Sequence, residues 1–185
     1  ESKAHLYRPL LSLVRGEASA LLDWLVLGRH HGLPTRLLDW TFSPYVALWI
    51  AASDLTESDG AVWAVSVRDV NAPEDIGSLM RPDSEALERV VAAETDAIAI
   101  LFFVPRVHNE RSAAQQGLFS LSADGLADHL DLLRAVLLPH EPRRSPPRLL
   151  RIEIPSGEKR ELVRALRTMN VTAETLAPDL DGYCR

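Results

Sequence analysis

Cysteine is nearly absent from this sequence, which holds a single one, Cys184, among 185 residues. That excludes a disulfide within the chain and a zinc site built from several cysteines. No apolar run is long enough to span a membrane, and no signal peptide is visible. These absences predict a cytoplasmic protein that has no membrane partner.

Several common catalytic motifs are missing as well. The sequence has no glycine-rich phosphate loop, no dinucleotide fingerprint and no Gly-x-Ser-x-Gly elbow. His140-Glu141 lacks the second histidine of a zinc protease, and the adjacent His30-His31 would not face the same way on a helix. We therefore expect no metal, and we expect His5, His129 and His140 to be surface residues.

Charge and composition are those of an ordinary globular chain. The formal net charge is −6, with 25% charged and 46% hydrophobic residues. A length of 185 residues is enough for one domain with a sizeable core. The acidic balance argues weakly against a broad nucleic-acid surface, but a local basic patch would leave such a partner open.

Hydrophobic periodicity and cap residues predict an irregular mixture of helices and strands. Helices are predicted at about 17–27, 44–54, 83–93, 125–138 and 156–168, and strands at 61–67, 97–104, 118–122, 149–154 and 172–176. Gly28 is placed to end the first helix. No steady strand-helix-strand repeat is visible. The pattern favours an α+β fold, with a mixed or antiparallel sheet and flanking helices in one compact domain over residues 1–185.

Residues 28–52 are the most informative stretch because they combine polar groups with a bent backbone. Gly32 permits unusual backbone angles, and Pro34 keeps the residue before it out of the helical region. Ser43 is a good N-cap and Pro44 suits the first helical position, so free N–H groups there would attract anions. Capping and buried hydrogen bonding are the alternative role. The candidate binding residues are His30, Thr35, Arg36, Asp39, Trp40, Thr41 and Ser43.

Arg36 and Asp39 would face each other if their segment made a helical turn. The pair could anchor the loop or take part in catalysis, and both interpretations stay open. If the pair is buried, removal of Asp39 should cost on the order of 3–5 kcal/mol. The four tryptophans are expected in the core, although Trp40 could also stack on a planar ligand.

A second polar stretch surrounds two glutamines. Gln115 and Gln116 are neutral, so they could orient a substrate but could not serve as a base. Glu110 could be a general base if it is partly buried, and is otherwise a solvated loop carboxylate. Since binding sites collect polar segments, we predict that residues 30–41 and 110–117 lie side by side.

These residues resemble the FRG domain, a family found widely in bacteria and phages. Its first motif is matched by His30, Gly32-Leu33-Pro34-Thr35-Arg36-Leu37-Leu38-Asp39-Trp40-Thr41, Ser43-Pro44 and Ala47-Leu48. Its second motif is matched by Arg111-x-x-x-Gln115-x-Gly117-x-Phe119, and its C-terminal signatures by Arg151-Ile152-Glu153-Ile154-Pro155 and Pro178-Asp179-Leu180-Asp181-Gly182.

The chain departs from the family at three places. His31 stands where the family usually has an aromatic residue, and Arg29 where glutamine is common. The aromatic-Arg-Gly motif that names the family has no clean copy, and its nearest candidates are Tyr7-Arg8-Pro9 and Val14-Arg15-Gly16. The motif is therefore either one of these imperfect copies or a segment upstream of Glu1, and both alternatives stay open.

A weaker resemblance, to ADP-ribosyltransferase-like folds, lies in the threonine-containing turn, the alanine-rich helix and the strand after it. It implies NAD as a substrate, bound by His30, Thr41 and Arg36, with Gln115 or Glu110 orienting the ribose or the nucleophile and His30 in the catalytic centre. The expected function is thus an NAD-using transferase or NAD glycohydrolase with an unspecified acceptor, in a bacterial defence or toxin system. The alternative is a non-catalytic module that binds a nucleotide, a nucleic acid or a protein. A carboxylate beside Gln115 favours the enzyme.

Overall fold

Seven α-helices and five strands occur in the part of the chain that the computed structural model describes, residues 18–54, 57–67, 85–92, 100–105, 110–123, 127–137 and 148–178. In chain order they are α1 (Ala18–His30), β1 (Leu37–Thr41), α2 (Pro44–Ala52), β2 (Gly60–Val65), α3 (Glu85–Val91), β3 (Ile100–Phe103), α4 (Glu110–Ala114), β4 (Gly117–Ser122), α5 (His129–Leu137), β5 (Leu149–Ile154), α6 (Lys159–Thr168) and α7 (Ala173–Leu176). A 3₁₀ turn, Ser156–Glu158, leads into α6.

The strands form two small antiparallel sheets. One has the order β1-β4-β3, and the other consists of β2 and β5. β1 runs antiparallel to β4, because the Phe42 N–H donates to the Gln116 carbonyl and the Ser122 N–H donates to the Arg36 carbonyl. The predicted α+β class with antiparallel sheet is therefore confirmed.

Contacts divide the chain into two compact units. The first comprises Glu1–Asp39, Val67–Val107 and Phe119–His140, and the second comprises Trp40–Ser66, His108–Leu118 and Glu141–Arg185. The assignment of residues 1–185 to a single domain stays a prediction.

The core of the first unit is built by helices α1 and α3 against the sheet. Both helices contribute aliphatic side chains that are almost fully buried, since each presents an apolar stripe to the strands. Burial of this apolar surface is the main source of stability for the unit. The buried cluster consists of Leu22, Val26, Leu37, Leu87, Val90, Val91, Leu101, Phe103, Phe119 and Leu121.

Helix α1 ends at His30, three residues later than predicted, and Gly32 is the glycine that terminates it. Gly32 has a φ of 76°, its N–H donates to the Arg29 carbonyl, and the Leu33 N–H donates to the Gly28 carbonyl. These are the two hydrogen bonds of a Schellman motif, in which a left-handed glycine ends the helix. The prediction that Gly28 ends the helix is wrong. Gly28 lies within it, where an added Cβ would be 2.9 Å from the Leu33 Cδ1 atom.

The second unit packs α2 against α6 and against strand β2. Lys159, Val163 and Leu166 are buried on one face of α6, at helical spacing. The Lys159 side chain is only 2% exposed, and its Nζ donates to the Asp54 Oδ1 at 2.6 Å. Because Asp54 lies just beyond the last residue of α2, this ion pair ties the start of α6 to the end of α2.

The predicted strand at 172–176 is wrong, because these residues form helix α7. Thr172 is its N-cap, and its hydroxyl accepts from the Thr175 N–H while the Thr175 hydroxyl accepts from the Thr172 N–H. This reciprocal capping box satisfies two N–H groups at the start of the helix. Local side-chain capping therefore overrides the β propensity of the threonines.

Other element bounds differ in detail. β5 has the predicted bounds, whereas β2 ends at Val65, two residues early. The predicted helix at 156–168 begins instead with the 3₁₀ turn. Parts of the predictions lie outside the described residues, namely positions 17, 83–84, 93, 97–99, 125–126 and 138 and the side chains of Cys184, His5 and His140.

The tryptophans are not in the core. Trp24 is 37% exposed, and Trp40, Trp49 and Trp63 are half-buried. Large rings that are only partly covered are common, because few interior spaces accommodate them.

In the described residues no helix has the length and the apolar character needed to cross a membrane.

Gly60 yields a test of the close contact between α2 and β2. A Cβ at this position would lie 2.4 Å from the Ala51 carbonyl oxygen and 3.4 Å from the Lys159 Cε atom. Because a backbone atom cannot move aside cheaply, Gly60→Ala should lower the free energy of unfolding by about 1–3 kcal/mol. Urea denaturation measures this. Gly157→Ala is the matched control, since no atom lies within 4 Å of its Cβ. Equal stability of the two variants would contradict the packing.

Candidate functional site

The Thr41 hydroxyl joins the two motif segments. It donates to the Gln115 carbonyl at 2.7 Å and accepts from the Ser43 N–H at 3.0 Å. Next to it, the Phe42 N–H donates to the Gln116 carbonyl at 3.1 Å. The end of β1 and the turn before β4 therefore lie side by side. The predicted neighbourhood of residues 30–41 and 110–117 is confirmed at Thr41, and it stays a prediction for His30.

Gln115 is held from two sides. Its backbone carbonyl accepts from Thr41, and its Nε2 donates to the Leu176 carbonyl at 3.0 Å. The second bond attaches the half-buried side chain to α7, so the amide has one preferred orientation. Gln116, which follows, adopts a left-handed φ of 49°. An oriented neutral amide can position a substrate group but cannot remove a proton.

Ser43 and Pro44 begin α2 as predicted. The Ser43 Oγ accepts from the Val46 N–H at 3.4 Å, and Pro44 occupies the first turn. Phe42 and Tyr45 flank this cap and are 55% and 50% exposed. The start of α2 thus combines the positive end of a helix dipole with two accessible aromatic side chains.

Glu110 is the first residue of α4 and is exposed. The partial burial on which its prediction as a general base depended is therefore not present. Glu110 begins helix α4, and that helix ends at Ala114, the residue before Gln115. Within the described residues, no group of three histidine, cysteine, aspartate or glutamate side chains could hold a metal ion.

Arg36 and Asp39 do not pair. Their segment enters strand β1, where residues three apart point to opposite faces, so the helical geometry assumed for them is wrong. Asp39 instead pairs with Arg29, with 2.6 Å between the Arg29 Nη2 and the Asp39 Oδ2, and its side chain is 55% exposed. Neither a buried anchor nor a shielded catalytic pair is formed by Arg36 and Asp39.

Arg36 stabilises the first unit through hydrogen bonds to two backbone carbonyls. Its guanidinium donates to the Ala123 carbonyl at 3.2 Å and to the Val91 carbonyl. Burial lowers the pKa of Arg36 from its ordinary value. Just before it, the Thr35 Oγ1 accepts from the Leu37 N–H at 3.4 Å, which stabilises the turn into β1. Both side chains have structural roles.

His30 is the last residue of α1 and is half-buried. Its ring meets the Phe119 ring edge-on, with 6.1 Å between centroids and 76° between planes. This geometry is favourable for aromatic pairs. His30 therefore packs against the core of the first unit.

His129 is half-buried, which corrects the prediction of an exposed surface residue. Its Nδ1 lies 2.8 Å from the Oγ of Ser120, a side chain with no exposed surface. Burial lowers the pKa of His129, opposed by a hydrogen bond to the Arg36 backbone and by the charge of Asp128, and Arg29 lowers it further. Sequence reasoning missed this pair. A usable signal was Asp128, whose Oδ1 accepts from the Leu130 N–H and so places His129 in the first turn of α5.

The sequence prediction that removal of Asp39 costs on the order of 3–5 kcal/mol assumed a buried pair with Arg36. The structure instead pairs Asp39 with Arg29. Because Asp39 is 55% exposed, Asp39→Ala should lower the free energy of unfolding by at most about 1 kcal/mol. Urea denaturation of Asp39→Ala, Arg29→Ala and the double variant gives the coupling energy directly. A loss of several kcal/mol in Asp39→Ala alone would show that the pair is shielded from water.

His129 predicts a pH dependence of stability. Its pKa in the folded chain is below the ordinary 6.5, so the unfolded chain binds more protons just below that pH. The stabilisation is complete above 6.5 and is lost as the pH falls toward the folded pKa. His129→Asn should therefore reduce the loss of unfolding free energy between roughly pH 7 and pH 5.5. The exposed His31→Asn is the control. An equal slope in all three proteins would contradict the burial of His129.

Part of the chain matches a known protein family. The family model of the FRG domain matches residues 4–60. No curated protein and no solved structure matches the chain. The second motif and the C-terminal signatures lie beyond the matched residues, so their assignment stays a prediction. The matched segment contains the complete first motif, from His30 to Leu48, so the predicted resemblance to the FRG domain is confirmed over residues 4–60.

Proposed function

We propose that this protein binds NAD and is an ADP-ribosyltransferase-like enzyme, either a transferase or an NAD glycohydrolase. The observation that supports it best is the hydrogen bond from Thr41 to Gln115, which joins residues 74 positions apart. Two polar segments that are distant in sequence converge in this way where a ligand site is assembled. By resemblance, the setting is bacterial defence or a toxin system.

The start of α2 is the proposed place for the dinucleotide. The phosphates would lie against the N-terminal turn after Ser43, where the helix dipole favours negative charge. Phe42 and Tyr45 are half-exposed there and would stack on the adenine or the nicotinamide ring. Trp40, which is half-buried on β1, is a further planar surface in the same segment. The assignment of His30, Thr35, Arg36 and Asp39 to this ligand is a prediction from sequence.

Gln115 and Glu110 are the proposed groups for the reaction. The Gln115 amide would orient the ribose, since its hydrogen bond to Leu176 already fixes the side chain. Loss of nicotinamide leaves an oxocarbenium-like centre, which fixed dipoles can stabilise. Glu110 would activate the attacking nucleophile, and substrate would have to cover this exposed carboxylate for its basicity to rise.

A non-catalytic binding module is the second candidate, and one observation favours it. The polar atoms of Thr41, Ser43 and Gln115 make hydrogen bonds within the chain. If these side chains serve only to stabilise the turn, the adjoining surface could bind a nucleotide, a nucleic acid or a protein without any catalysis. The two candidates differ in whether bound NAD is cleaved.

Calorimetric titration with NAD tests the site. Phe42→Ala should weaken binding by about 1–3 kcal/mol, the contribution of one base–aromatic stack. Ile50→Ala is the matched control, because Ile50 is an equally exposed apolar residue on α2, at 57% against 55% for Phe42. Arg36→Ala would not be informative, since it removes two structural hydrogen bonds. If the intact protein gives no heat and no thermal shift at millimolar NAD, the enzyme proposal fails.

Nicotinamide release separates the enzyme from the binding module. Glu110→Gln should abolish release and leave NAD affinity unchanged, because a neutral amide cannot act as a base. Glu158→Gln replaces another exposed carboxylate and should release nicotinamide at the parental rate. If the parent protein binds NAD but releases no nicotinamide, the enzyme proposal fails and the non-catalytic binding module is the candidate that remains.

A further inference from the structure

The outer edge of β5 is an accessible strand edge with exposed apolar side chains. β5 pairs with β2 along one side, and no strand of the described residues pairs with the other side. Leu150 and Ile152 on this strand are 43% and 42% exposed. An edge strand presents a row of unpaired backbone groups, which invites pairing with another chain.

The register identifies the backbone groups that point outward. The Ser66 N–H donates to the Arg148 carbonyl at 2.8 Å, in line with the β2–β5 register. Hydrogen-bonded and non-hydrogen-bonded pairs alternate along an antiparallel ladder. The N–H and C=O groups of residues 150, 152 and 154 therefore face β2. Those of Leu149, Arg151 and Glu153 face away from it.

We propose that two copies of this chain associate by antiparallel pairing of their β5 edges about Ile152. In this register Arg151 of each copy lies opposite Glu153 of the second copy, and the two Ile152 residues lie opposite each other. Arg151 and Glu153 already share one face, since they form an ion pair within the strand. The outward backbone groups of both residues bond reciprocally across the axis, as an antiparallel ladder requires.

The charges select this register and this edge. Centring the pairing on Arg151 or on Glu153 would place like charges directly opposite, which is destabilising. The outer side of β2, with the sequence Gly-Ala-Val-Trp-Ala-Val, carries no charge that could fix a register. The β5 edge is thus self-complementary, as an isologous two-fold interface must be.

The association also completes a small sheet. Pairing through β5 enlarges the two-stranded sheet to four strands, within the commonest size range of about four to six. The two Ile152 residues form a non-hydrogen-bonded pair, with Cα atoms about 4.5 Å apart, so their side chains cover each other. Ile154 is buried within its own chain at 4% exposure, so the apolar contact between copies is centred on the Ile152 pair.

Complementary charge reversal tests the pairing. Arg151→Glu gives two glutamates on each edge and Glu153→Arg gives two arginines, so each variant alone should sediment as a monomer where the parent sediments as a dimer. An equimolar mixture of the two variants restores both opposite-charge pairs and should sediment as a dimer. Mixing changes no contact within either chain, so only pairing between chains explains the recovery. A monomeric parent, single variants that dimerise like the parent, or a mixture that stays monomeric would each overturn the proposal.

A disulfide cross-link tests the register. In a Cys184→Ser background, Ile152→Cys places two thiols in facing positions within disulfide range and should give a covalent dimer on mild oxidation. Leu150→Cys is the matched control with 43% exposure against 42%. Its two copies would be offset by four residues, roughly 13 Å, and should not cross-link. Equal yields, or a cross-link in the control alone, would refute the register.

Discussion

The Thr41 hydroxyl is the interaction on which the arrangement of the motif depends. It is used twice, as donor to the Gln115 carbonyl and as acceptor from the Ser43 N–H. The first bond attaches the end of β1 to the turn before β4, and the second orients the residue that caps α2. Without a hydroxyl at this position, a carbonyl and an N–H would both lose their partner. A threonine in this place in the motif therefore has a structural reason that is independent of any ligand.

Local chemistry explains what could be predicted from the sequence. Ser43 and Pro44 begin α2 because capping and a fixed φ act within four residues. β5 has its predicted bounds because apolar and charged residues alternate between Leu149 and Ile154. The strand after Gln116 was predicted on the same grounds. Each of these features is determined by neighbours in the sequence.

The errors concern features that are determined by distant residues or by competing local ones. Asp39 pairs with Arg29 because β1 is extended, and a short segment can be read as helix or strand until its partner strand is known. Ser120 and Ser122 on β4 are fully buried, and the Ser120 Oγ lies 2.8 Å from the His129 Nδ1, a contact that the alternation along β4 does not reveal. Thr172 illustrates the second kind of error, because its capping box with Thr175 was readable in the sequence as a Thr-x-x-Thr pattern.

The use of polar side chains within the fold limits how this segment can recognise a ligand. Thr35, Arg36, Thr41 and Ser43 all make hydrogen bonds inside the chain, so the groups that remain accessible near the start of α2 are mainly the rings of Phe42 and Tyr45. Recognition through ring faces and a helix dipole suits a planar, anionic ligand and discriminates poorly among bases. In the proposed NAD site, chemical selectivity would therefore come from the segment around Gln115, whose amide is oriented by its hydrogen bond to the Leu176 carbonyl. An aromatic surface beside one fixed amide is compatible with a site that cleaves a nucleotide, whereas a structural latch needs neither feature.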